Sequence, residues 1–485
     1  MFLRVFSALA GTTPTAESRL SRLPKGNQMF GRNGLHPSQL ISIAFTAIIL
    51  SGTLLLSLPI SSVTGQSTRF FDALFTATSA TTVTGLNTVD TETHWSLFGH
   101  VVIALLIQIG GFGIVGFASL VAILLDGRVS LRTRLNATSE TGSSAPDVKS
   151  LLMNVLKIML FFQLILAIIL TWRFATEYRY DFNEAMAHGV FHAISAFNNA
   201  GFALYSDSMM QFARDGWIII PVFTTVMLAS LGFPTIGEMR DRLVLRIARI
   251  FKLTPSYSMP KQWSLNSRIV LWASLVLVVL GSVAIAILEW SNPNTLGPLT
   301  PFQKIMDSIF AAVMPRTAGF NALDVSQMEP TSWLVTSLLM FIGGASASTA
   351  GGIKLGTFVV LIYIVYTEIR GDTAVNIGNR RLPRSMQRQA LTIVSLYAIV
   401  TIGALLIMRV STEFSLDQIL FEVVSAVGTV GLSTGITAEL PEHAKFLLSL
   451  LMLFGRLGPI IVATSLALRK TKRHFEYPKE RPLIG

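Results

Sequence analysis

The chain has 485 residues, of which 51% are hydrophobic and 13% are charged, and its formal net charge is +11. Soluble domains carry about 25% charged residues, so the composition excludes an ordinary soluble protein. The sequence contains no cysteine, which excludes disulfides, thiol catalysis and cysteine-bound zinc. Several apolar blocks exceed the ~18 residues of a membrane-spanning helix, so the sequence predicts an all-α polytopic membrane protein. No basic face with interleaved aromatic residues is present, so the positive charge indicates basic cytoplasmic loops rather than nucleic-acid binding.

Residues 1–38 are polar and basic, and we predict a cytoplasmic N-terminal tail there. A signal peptide is the alternative, although the apolar opening of the chain is short. Eight apolar spans follow, near residues 39–60, 98–125, 151–174, 216–236, 268–290, 332–366, 388–410 and 444–468. Residues 471–485 are predicted to form a cytoplasmic C-terminal tail.

The eight spans fall into four pairs, and a shorter, half-apolar stretch that ends in glycine lies between the members of each pair. The stretches are FTATSATTVTGL, FHAISAFNNAGF, FAAVMPRTAGF and FEVVSAVGTVGL, and their terminal glycines are Gly85, Gly201, Gly319 and Gly431. These glycines are separated by 116, 118 and 112 residues, which indicates four copies of one unit. The predicted repeats are residues 39–125, 150–240, 265–370 and 387–470.

Each stretch predicts a half-helix of about ten residues, roughly 15 Å long, which reaches halfway across a hydrocarbon core about 30 Å thick. Non-helical backbone at that depth must be shielded from lipid. Four such loops on one axis satisfy this need by facing water and ions, with carbonyl groups that replace the hydration shell of a monovalent cation. We therefore predict four helix–pore loop–helix repeats around one central pore, as in a potassium channel. The alternative is that the glycines are contacts between packed helices.

A second set of glycines follows the first, at Gly110-Gly111, Gly232, Gly343-Gly344 and Gly455, and predicts a break in the second helix of each repeat. The segment 343–352 has four glycines and no bulky side chain, so we expect a loop beneath the pore loops there; a tightly packed helix is the alternative. Arg456 lies within the last apolar span, where a charge is costly and by default functional, although a purely structural partner is possible. Lys354 is a weaker candidate, since its side chain can reach the cytoplasmic side.

Other chemistry finds little support in the sequence. His188 and His192 have the i, i+4 spacing of zinc ligands, but no third ligand accompanies them. No Walker sequence and no constellation of nucleophile or metal ligands is present, so a non-enzymatic protein is expected.

Several motifs resemble those of one family. Thr429-Val430-Gly431-Leu432 approximates the Thr-Val-Gly-Tyr-Gly loop of potassium channels, and Thr82-Val83-Thr84-Gly85 is a looser variant. Together with TSATTVTGL, ISAFNNAGF, PRTAGF, GTVGLSTG, GGASASTAGGIK and LFGRLGP, the fourfold arrangement resembles the Trk/Ktr/HKT superfamily of cation transporters, over about residues 35–470. The resemblance is greatest to the Ktr-type potassium uptake membrane subunit.

The resemblance implies a potassium-selective filter and an intramembrane gate. The implied filter residues are Thr82, Val83, Thr84, Gly85, Asn198, Asn199, Ala200, Gly201, Thr317, Ala318, Gly319, Thr429, Val430 and Gly431. The implied gate consists of Gly343, Gly344, Ala345, Ser346, Ala347, Ser348, Thr349, Ala350, Gly351 and Gly352, with Arg456 as an electrostatic barrier. Some relatives that prefer sodium carry serine in the first loop, so Gly85 favours potassium.

The resemblance also implies partners: a homodimer on a cytosolic ring of nucleotide-binding regulatory subunits. No cofactor and no nucleic acid are expected; K⁺ is the cargo, and Na⁺ is a possible coupling or activating ion. Basic loops at 126–150, 238–268 and 368–389 predict that both termini are cytoplasmic. The resemblance implies that the membrane is the plasma membrane of a bacterium. The remaining alternatives are a sodium-permeable or sodium-coupled member of the superfamily, the potassium-binding subunit of a multi-subunit ATPase, and a membrane enzyme or receptor with glycine-rich helices.

Overall fold

The computed structural model describes residues 37–112, 148–251 and 262–468, and this part of the chain is almost entirely helical. The helices are α1 Pro37–Leu56, α2 Phe70–Thr82, α3 Thr91–His94, α4 Leu97–Gly111, α5 Val148–Thr176, α6 Phe182–Asn198, α7 Gly216–Ser230, α8 Phe233–Ile250, α9 Leu265–Glu289, α10 Pro301–Val313, α11 Pro330–Phe341, α12 Leu355–Arg370, α13 Arg384–Ser411, α14 Leu416–Gly428 and α15 Glu442–Leu468. A small hairpin joins β1 Asn376–Ile377 to β2 Arg380–Arg381. The predicted C-terminal tail, and nearly all of the predicted N-terminal tail and of the loop 126–150, lie outside the described residues.

Three of the described helices have the length and hydropathy of membrane spans: α9, α13 and the part of α5 from Met153 to Thr176. The pair α7 and α8 adds a fourth if it is counted as one span, although it is bent by 106°. Shorter apolar helices cover Ile41–Leu56, Leu97–Gly111 and Pro330–Phe341. On α9 and α13, residues such as Leu280, Ile287 and Leu406 are more than 60% exposed. A surface of this kind is suited to lipid rather than water.

Four short helices precede the glycine loops: α2, α6, α10 and α14, which we call the half-helices. They contain 13, 17, 13 and 13 residues, so they are longer than the ten or so expected. Three of them begin directly after a polar capping residue. The side chains of Asp181, Thr300 and Ser415 accept hydrogen bonds from first-turn backbone N–H groups, and Thr300 and Ser415 form capping boxes. These caps begin the helices before the apolar part that the sequence pattern detected.

The half-helices pack in a cyclic order. The apolar helix that follows each half-helix contacts the next half-helix along the chain: α4 contacts α6, α7 contacts α10, and α11 contacts α14. Helix α15 then contacts α2, so the chain of contacts closes on itself. This closure brings the loops at the ends of the four half-helices together.

The second set of glycines has two different effects. Helix α4 ends at Gly111, the chain bends at Gly232, and α11 ends at Phe341, shortly before Gly343. Helix α15, in contrast, is continuous from Glu442 to Leu468, so the break predicted at Gly455 is wrong. A methyl group at Gly455 would lie less than 3.0 Å from the carbonyl oxygen of Val427. Glycine therefore allows α15 to approach α14 closely, and it does not interrupt the helix.

The prediction of a basic cytoplasmic loop at 238–268 is also partly wrong, because helix α8 continues to Ile250. Its mixture of arginine and apolar residues lowers the mean hydropathy, and the pattern of apolar blocks therefore missed it.

Candidate functional site

The four loop glycines meet one another at the ends of the half-helices. Gly85, Gly201, Gly319 and Gly431 have φ values of 98°, 69°, 72° and 96°, in the left-handed region that glycine adopts readily. A methyl group at any of them would lie less than 3.0 Å from a backbone carbonyl oxygen of the following loop; these oxygens belong to Ala200, Ala318, Val430 and Thr84. The loops therefore contact each other in the cyclic order one, two, three, four, one.

A second left-handed residue lies two positions before each glycine. These residues are Val83, Asn199, Thr317 and Thr429, with φ values of 59°, 60°, 74° and 52°. Three of the four are β-branched, and positive φ is rare for such residues. Conformations of this kind cost about 1–3 kcal/mol each and concentrate at functional sites. Loops that differ in sequence thus share one unusual backbone.

The predicted filter residues are nearly all buried at this junction. Loop 1 consists of Thr82, Val83, Thr84 and Gly85; loop 2 of Asn198, Asn199, Ala200 and Gly201; loop 3 of Thr317, Ala318 and Gly319; and loop 4 of Thr429, Val430 and Gly431. Only Gly431 is partly exposed, and the others are buried.

Buried side chains on two half-helices accept hydrogen bonds from the segment that follows the loop. The carboxylate of Glu422 accepts hydrogen bonds from the Ser433 hydroxyl, from the Thr434 backbone N–H at 3.1 Å and from the Thr437 hydroxyl at 2.9 Å. In loop 2, Nε2 of His192 accepts a hydrogen bond from the Leu204 backbone N–H at 3.2 Å.

These two side chains occupy matched positions. Glu422 and His192 lie nine residues before their loop glycines. The backbone N–H groups that they bind belong to the residues three positions after those glycines. They therefore play the same structural part in loops 4 and 2.

Serine hydroxyls support two of the glycines directly. The Gly85 N–H donates to Ser79 Oγ at 3.0 Å, and the Gly431 N–H donates to Ser425 Oγ at 3.1 Å. Both serines lie six residues before the glycine. Loop 3 has Val313 at the corresponding position, so it lacks this support.

The small-residue segment, residues 343–352, forms a loop whose two ends are joined. The Gly343 N–H donates to Ile353 O, and the Leu355 N–H donates to Gly344 O, each at 2.9 Å. A methyl group at Gly351 would collide with the side chain of Thr429 in loop 4. The segment therefore lies directly against one of the glycine loops.

Two basic side chains donate to this segment. Arg456, which is 3% exposed, donates to Thr349 O and to Gly110 O, each at 2.5 Å. Lys354 Nζ donates to Ala350 O at 2.6 Å. Because Gly110 belongs to α4, Arg456 on α15 links the small-residue segment to a third part of the chain.

Comparisons with known proteins identify the family of the chain. A family model described as "TrkH: Cation transport protein" matches residues 24–474. The chain belongs to the TrkH family of cation transport proteins. The resemblance inferred from the motifs is thus confirmed, and the transporter family agrees with the expectation of a non-enzyme.

Individual members of the TrkH family match over most of their length. Ktr system potassium uptake protein B of Bacillus subtilis (strain 168) is 37% identical, over 93% of this chain and 97% of that protein. The protein of the same name from Vibrio alginolyticus is 33% identical, over 96% and 98%. Potassium/sodium uptake protein NtpJ of Enterococcus hirae is 33% identical, over 94% and 98%.

A solved structure shares the fold. The potassium transporter TrkH from Vibrio parahaemolyticus superimposes with a TM-score of 0.68 at 18% identity, covering 93% of this chain and 88% of that one. The chain is therefore a helical protein with the fold of this membrane transporter.

His188 and His192, which have the spacing of zinc ligands, are not joined by a third ligand among the described residues. The rings of His188 and His192 are stacked, with centroids 6.1 Å apart, and both pack on Tyr205. Within the described residues, no group of three or more His, Asp or Glu side chains is placed to hold a metal ion.

The part that Glu422 and His192 play in holding the loops is not among the sequence-based predictions. The signal that could have revealed it is a polar residue nine positions before a loop glycine.

Proposed function

We propose that this chain is the membrane subunit of a potassium uptake system, with a pore formed by the four glycine loops. The observation that carries the proposal is the cyclic contact of four left-handed glycines, each two residues after another left-handed residue. A backbone that alternates in handedness turns successive carbonyl groups to one side, which is what a ring of carbonyl ligands for K⁺ requires. The names of the relatives, which include potassium uptake and potassium/sodium uptake, support the same cargo.

The half-helices favour a cation at this place. Each of them ends at its loop, so the partial negative charge of its C-terminus lies at the junction of the loops. The membrane potential, worth about 2.3 kcal/mol per unit charge per 100 mV, is a sufficient driving force in the absence of a nucleotide motif.

In this proposal the small-residue segment is the gate. It lies against loop 4, and its shape is maintained by backbone hydrogen bonds and by Arg456. A guanidinium group on the ion path opposes the passage of cations, so Arg456 adds an electrostatic barrier to the steric one.

The proposed architecture has eight spans in four repeats, with both termini on the cytoplasmic side of a bacterial plasma membrane. The domains are the N-terminal tail 1–38, the repeats 39–125, 150–240, 265–370 and 387–470, and the C-terminal tail 471–485. We further propose a homodimer that binds a cytosolic ring of nucleotide-binding regulatory subunits, in keeping with relatives named as parts of a Ktr system.

Transport in cells tests the proposal. The chain is expressed in a bacterium that lacks its own potassium uptake, and growth at low K⁺ is measured together with Rb⁺ and Na⁺ uptake. We expect growth to be restored and Rb⁺ uptake to exceed Na⁺ uptake. Protein that is present in the membrane but restores no growth would contradict the proposal.

A sodium-permeable or sodium-coupled transporter is the second candidate, and the relative named as a potassium/sodium uptake protein favours it. Na⁺ uptake equal to Rb⁺ uptake, or Rb⁺ uptake that requires Na⁺, would select this candidate. Co-purification with an ATPase would instead indicate a subunit of a potassium-transporting ATPase.

A further inference from the structure

Helix α8 has no part in the pore proposed above, and its direction is unusual. It begins at Phe233, directly after the bend of 106° that separates it from α7. Gly232 at the bend has a φ of 83°, which glycine adopts without strain. Helix α7 has 15 residues and is about 22 Å long, so it reaches most of the way across a hydrocarbon core about 30 Å thick. If α7 runs along the bilayer normal, a helix bent by 106° from it runs nearly parallel to the membrane plane, and α8 starts near the boundary of the core where α7 ends.

Helix α8 presents an exposed apolar stripe. Leu243, Ile247 and Ile250 are spaced four and three residues apart, so they lie on one face of the helix. Their exposed fractions are 58%, 43% and 75%. In water such a stripe would be unfavourable, whereas at a bilayer surface it enters the boundary between headgroups and acyl chains.

Arginines flank this stripe. The helix has four arginines and two carboxylates, so its net charge is positive. Arg240 pairs with Asp241 at 2.8 Å, and Arg242 pairs with Glu238 at 2.9 Å. Arg246 and Arg249, one turn apart on the adjoining face, are exposed and belong to neither of these ion pairs. The excess positive charge of α8 is therefore located beside its apolar stripe.

We propose that α8 lies in the headgroup layer of the membrane and binds anionic phospholipid through Arg246 and Arg249. The phosphate group is the ligand, because guanidinium groups bind phosphate oxygens in a bidentate manner. The apolar stripe favours a lipid over a soluble phosphate ion, because the stripe needs acyl chains beside the phosphate group.

The bend between α7 and α8 is hydrogen-bonded to the small-residue segment on both of its sides. The Phe233 N–H donates to Ala347 O at 3.0 Å, and the Ala345 N–H donates to Ser230 O at 2.9 Å. Lipid that fixes α8 also restrains the segment, so we expect anionic lipid to lower ion flux. This consequence, unlike the lipid site itself, rests on the proposed function of the segment as a gate.

The absence of native cysteine allows a direct test of depth. Ile247→Cys and Ile250→Cys are spin-labelled in the full-length chain, in nanodiscs that contain phosphatidylglycerol and phosphatidylcholine. We expect both labels to be more accessible to oxygen than to a water-soluble nickel chelate, and a label at Arg381→Cys, on the exposed strand β2, to behave in the opposite way. Labels accessible to the chelate would overturn the proposal. Labels shielded from both reagents would also overturn it, because a protein partner such as a second copy would then cover α8.

A second measurement tests the charge. Phosphatidylglycerol retained by the purified protein is quantified by mass spectrometry for the variant with Arg246→Gln and Arg249→Gln. The matched control carries Arg380→Gln and Arg381→Gln, which remove two exposed arginines from the hairpin. We expect the first variant to lose most of the bound phosphatidylglycerol and the control to retain it; equal retention would overturn the proposal.

Rb⁺ flux tests the link to the gate separately. In nanodiscs with phosphatidylglycerol, the Arg246→Gln and Arg249→Gln variant should conduct severalfold more than the unaltered protein; in pure phosphatidylcholine the two should be equal. Unchanged flux together with lost lipid would refute the link to the segment and leave the lipid site established. Neither lipid measurement depends on transport, so failure of the proposed function is distinguishable from failure of the lipid site.

Discussion

Glycine loops 3 and 4 share a backbone conformation but are held in place by different groups. Loop 4 is supported from its own half-helix, by Ser425 at the glycine N–H and by Glu422 at the chain that follows. Loop 3 has the apolar residues Val313 and Phe310 at the corresponding positions. The comparison teaches that the backbone is the common requirement, whereas its support is specific to each loop.

Loop 3 is held instead by backbone hydrogen bonds from its N–H groups to Met314 O, and by the segment that follows loop 2. The Asn321 N–H donates to Ser208 Oγ at 3.3 Å, and the Met209 N–H donates to Asn321 O at 3.0 Å. Directly before loop 3 lies Arg316, whose buried guanidinium donates to Ser274 Oγ at 3.0 Å. Within the described residues, Nε and Nη1 of Arg316 have no hydrogen-bond partner. Loop 3 therefore lacks the half-helix side chains that support loop 4, and backbone carbonyl groups accept its hydrogen bonds instead.

The largest expected effect concerns the shared backbone. Gly431→Ala and Gly319→Ala should both reduce Rb⁺ uptake to background, because the added methyl group meets the backbone of the next loop and the φ values are left-handed. Gly435→Ala is the matched control. Gly435 is also in the left-handed region, with a φ of 98°, but it has open space around it. If loop 3 tolerated alanine and loop 4 did not, the common backbone requirement would be disproved.

The next effect concerns the contact between the small-residue segment and loop 4. Arg456→Gln, or a shortening of segment 343–352, should raise Rb⁺ flux severalfold, because the proposed barrier loses its charge or its bulk. Arg409→Gln, at an exposed arginine near the end of α13, serves as the control and should not change flux. Unchanged or lower flux in a well-expressed Arg456→Gln protein would contradict the gate assignment.

A graded effect is expected from the side chains nine residues before the glycines. Glu422→Ala removes an acceptor of three hydrogen bonds, and a buried donor left unsatisfied costs about 1–3 kcal/mol. The ratio of Rb⁺ to Na⁺ uptake should fall most in this variant, less in His192→Ala, and not at all in Thr76→Ala. In the part of the chain that the structure describes, the Thr76 hydroxyl has no hydrogen-bond partner. Equal ratios in the three variants would show that these side chains do not position the loops.

The smallest effect is expected at the serines six residues before the glycines. Ser425→Ala and Ser79→Ala each remove a hydrogen bond to a glycine N–H, worth about 1 kcal/mol, and should lower the Rb⁺ to Na⁺ ratio slightly. Ser195→Ala, on the half-helix that precedes loop 2, should have no effect, because the structure assigns no partner to that hydroxyl among the described residues. A loss of selectivity in Ser195→Ala as large as in Ser425→Ala would refute this difference.

The family and the four loop glycines could be predicted from the sequence because a left-handed residue in close contact leaves little choice but glycine. Gly85, Gly201, Gly319 and Gly431 are therefore visible as a regular pattern. The same reasoning failed at Gly455, where the requirement for glycine comes from the neighbouring carbonyl of Val427 and not from a break. A single sequence does not distinguish these two reasons for a glycine.

Other features depend on which segments meet in space. The bonds of Arg456 to Thr349 and Gly110 join residues 107 and 346 positions apart, which no local pattern reveals. Helix α8 was missed for a different reason, because its arginines interrupt the apolar block although its three-and-four spacing is regular. A search for periodicity rather than for mean hydropathy would have found it.

Because all four loops belong to one polypeptide, a single codon change alters one quarter of the ring. In a pore built from four identical chains, every substitution appears four times, and a tolerable change in one loop becomes four changes at once. The asymmetry between loops 3 and 4 is the kind of divergence that a gene of this design permits. The supporting side chains of one loop can change in sequence while the other three loops preserve the conformation of the whole ring.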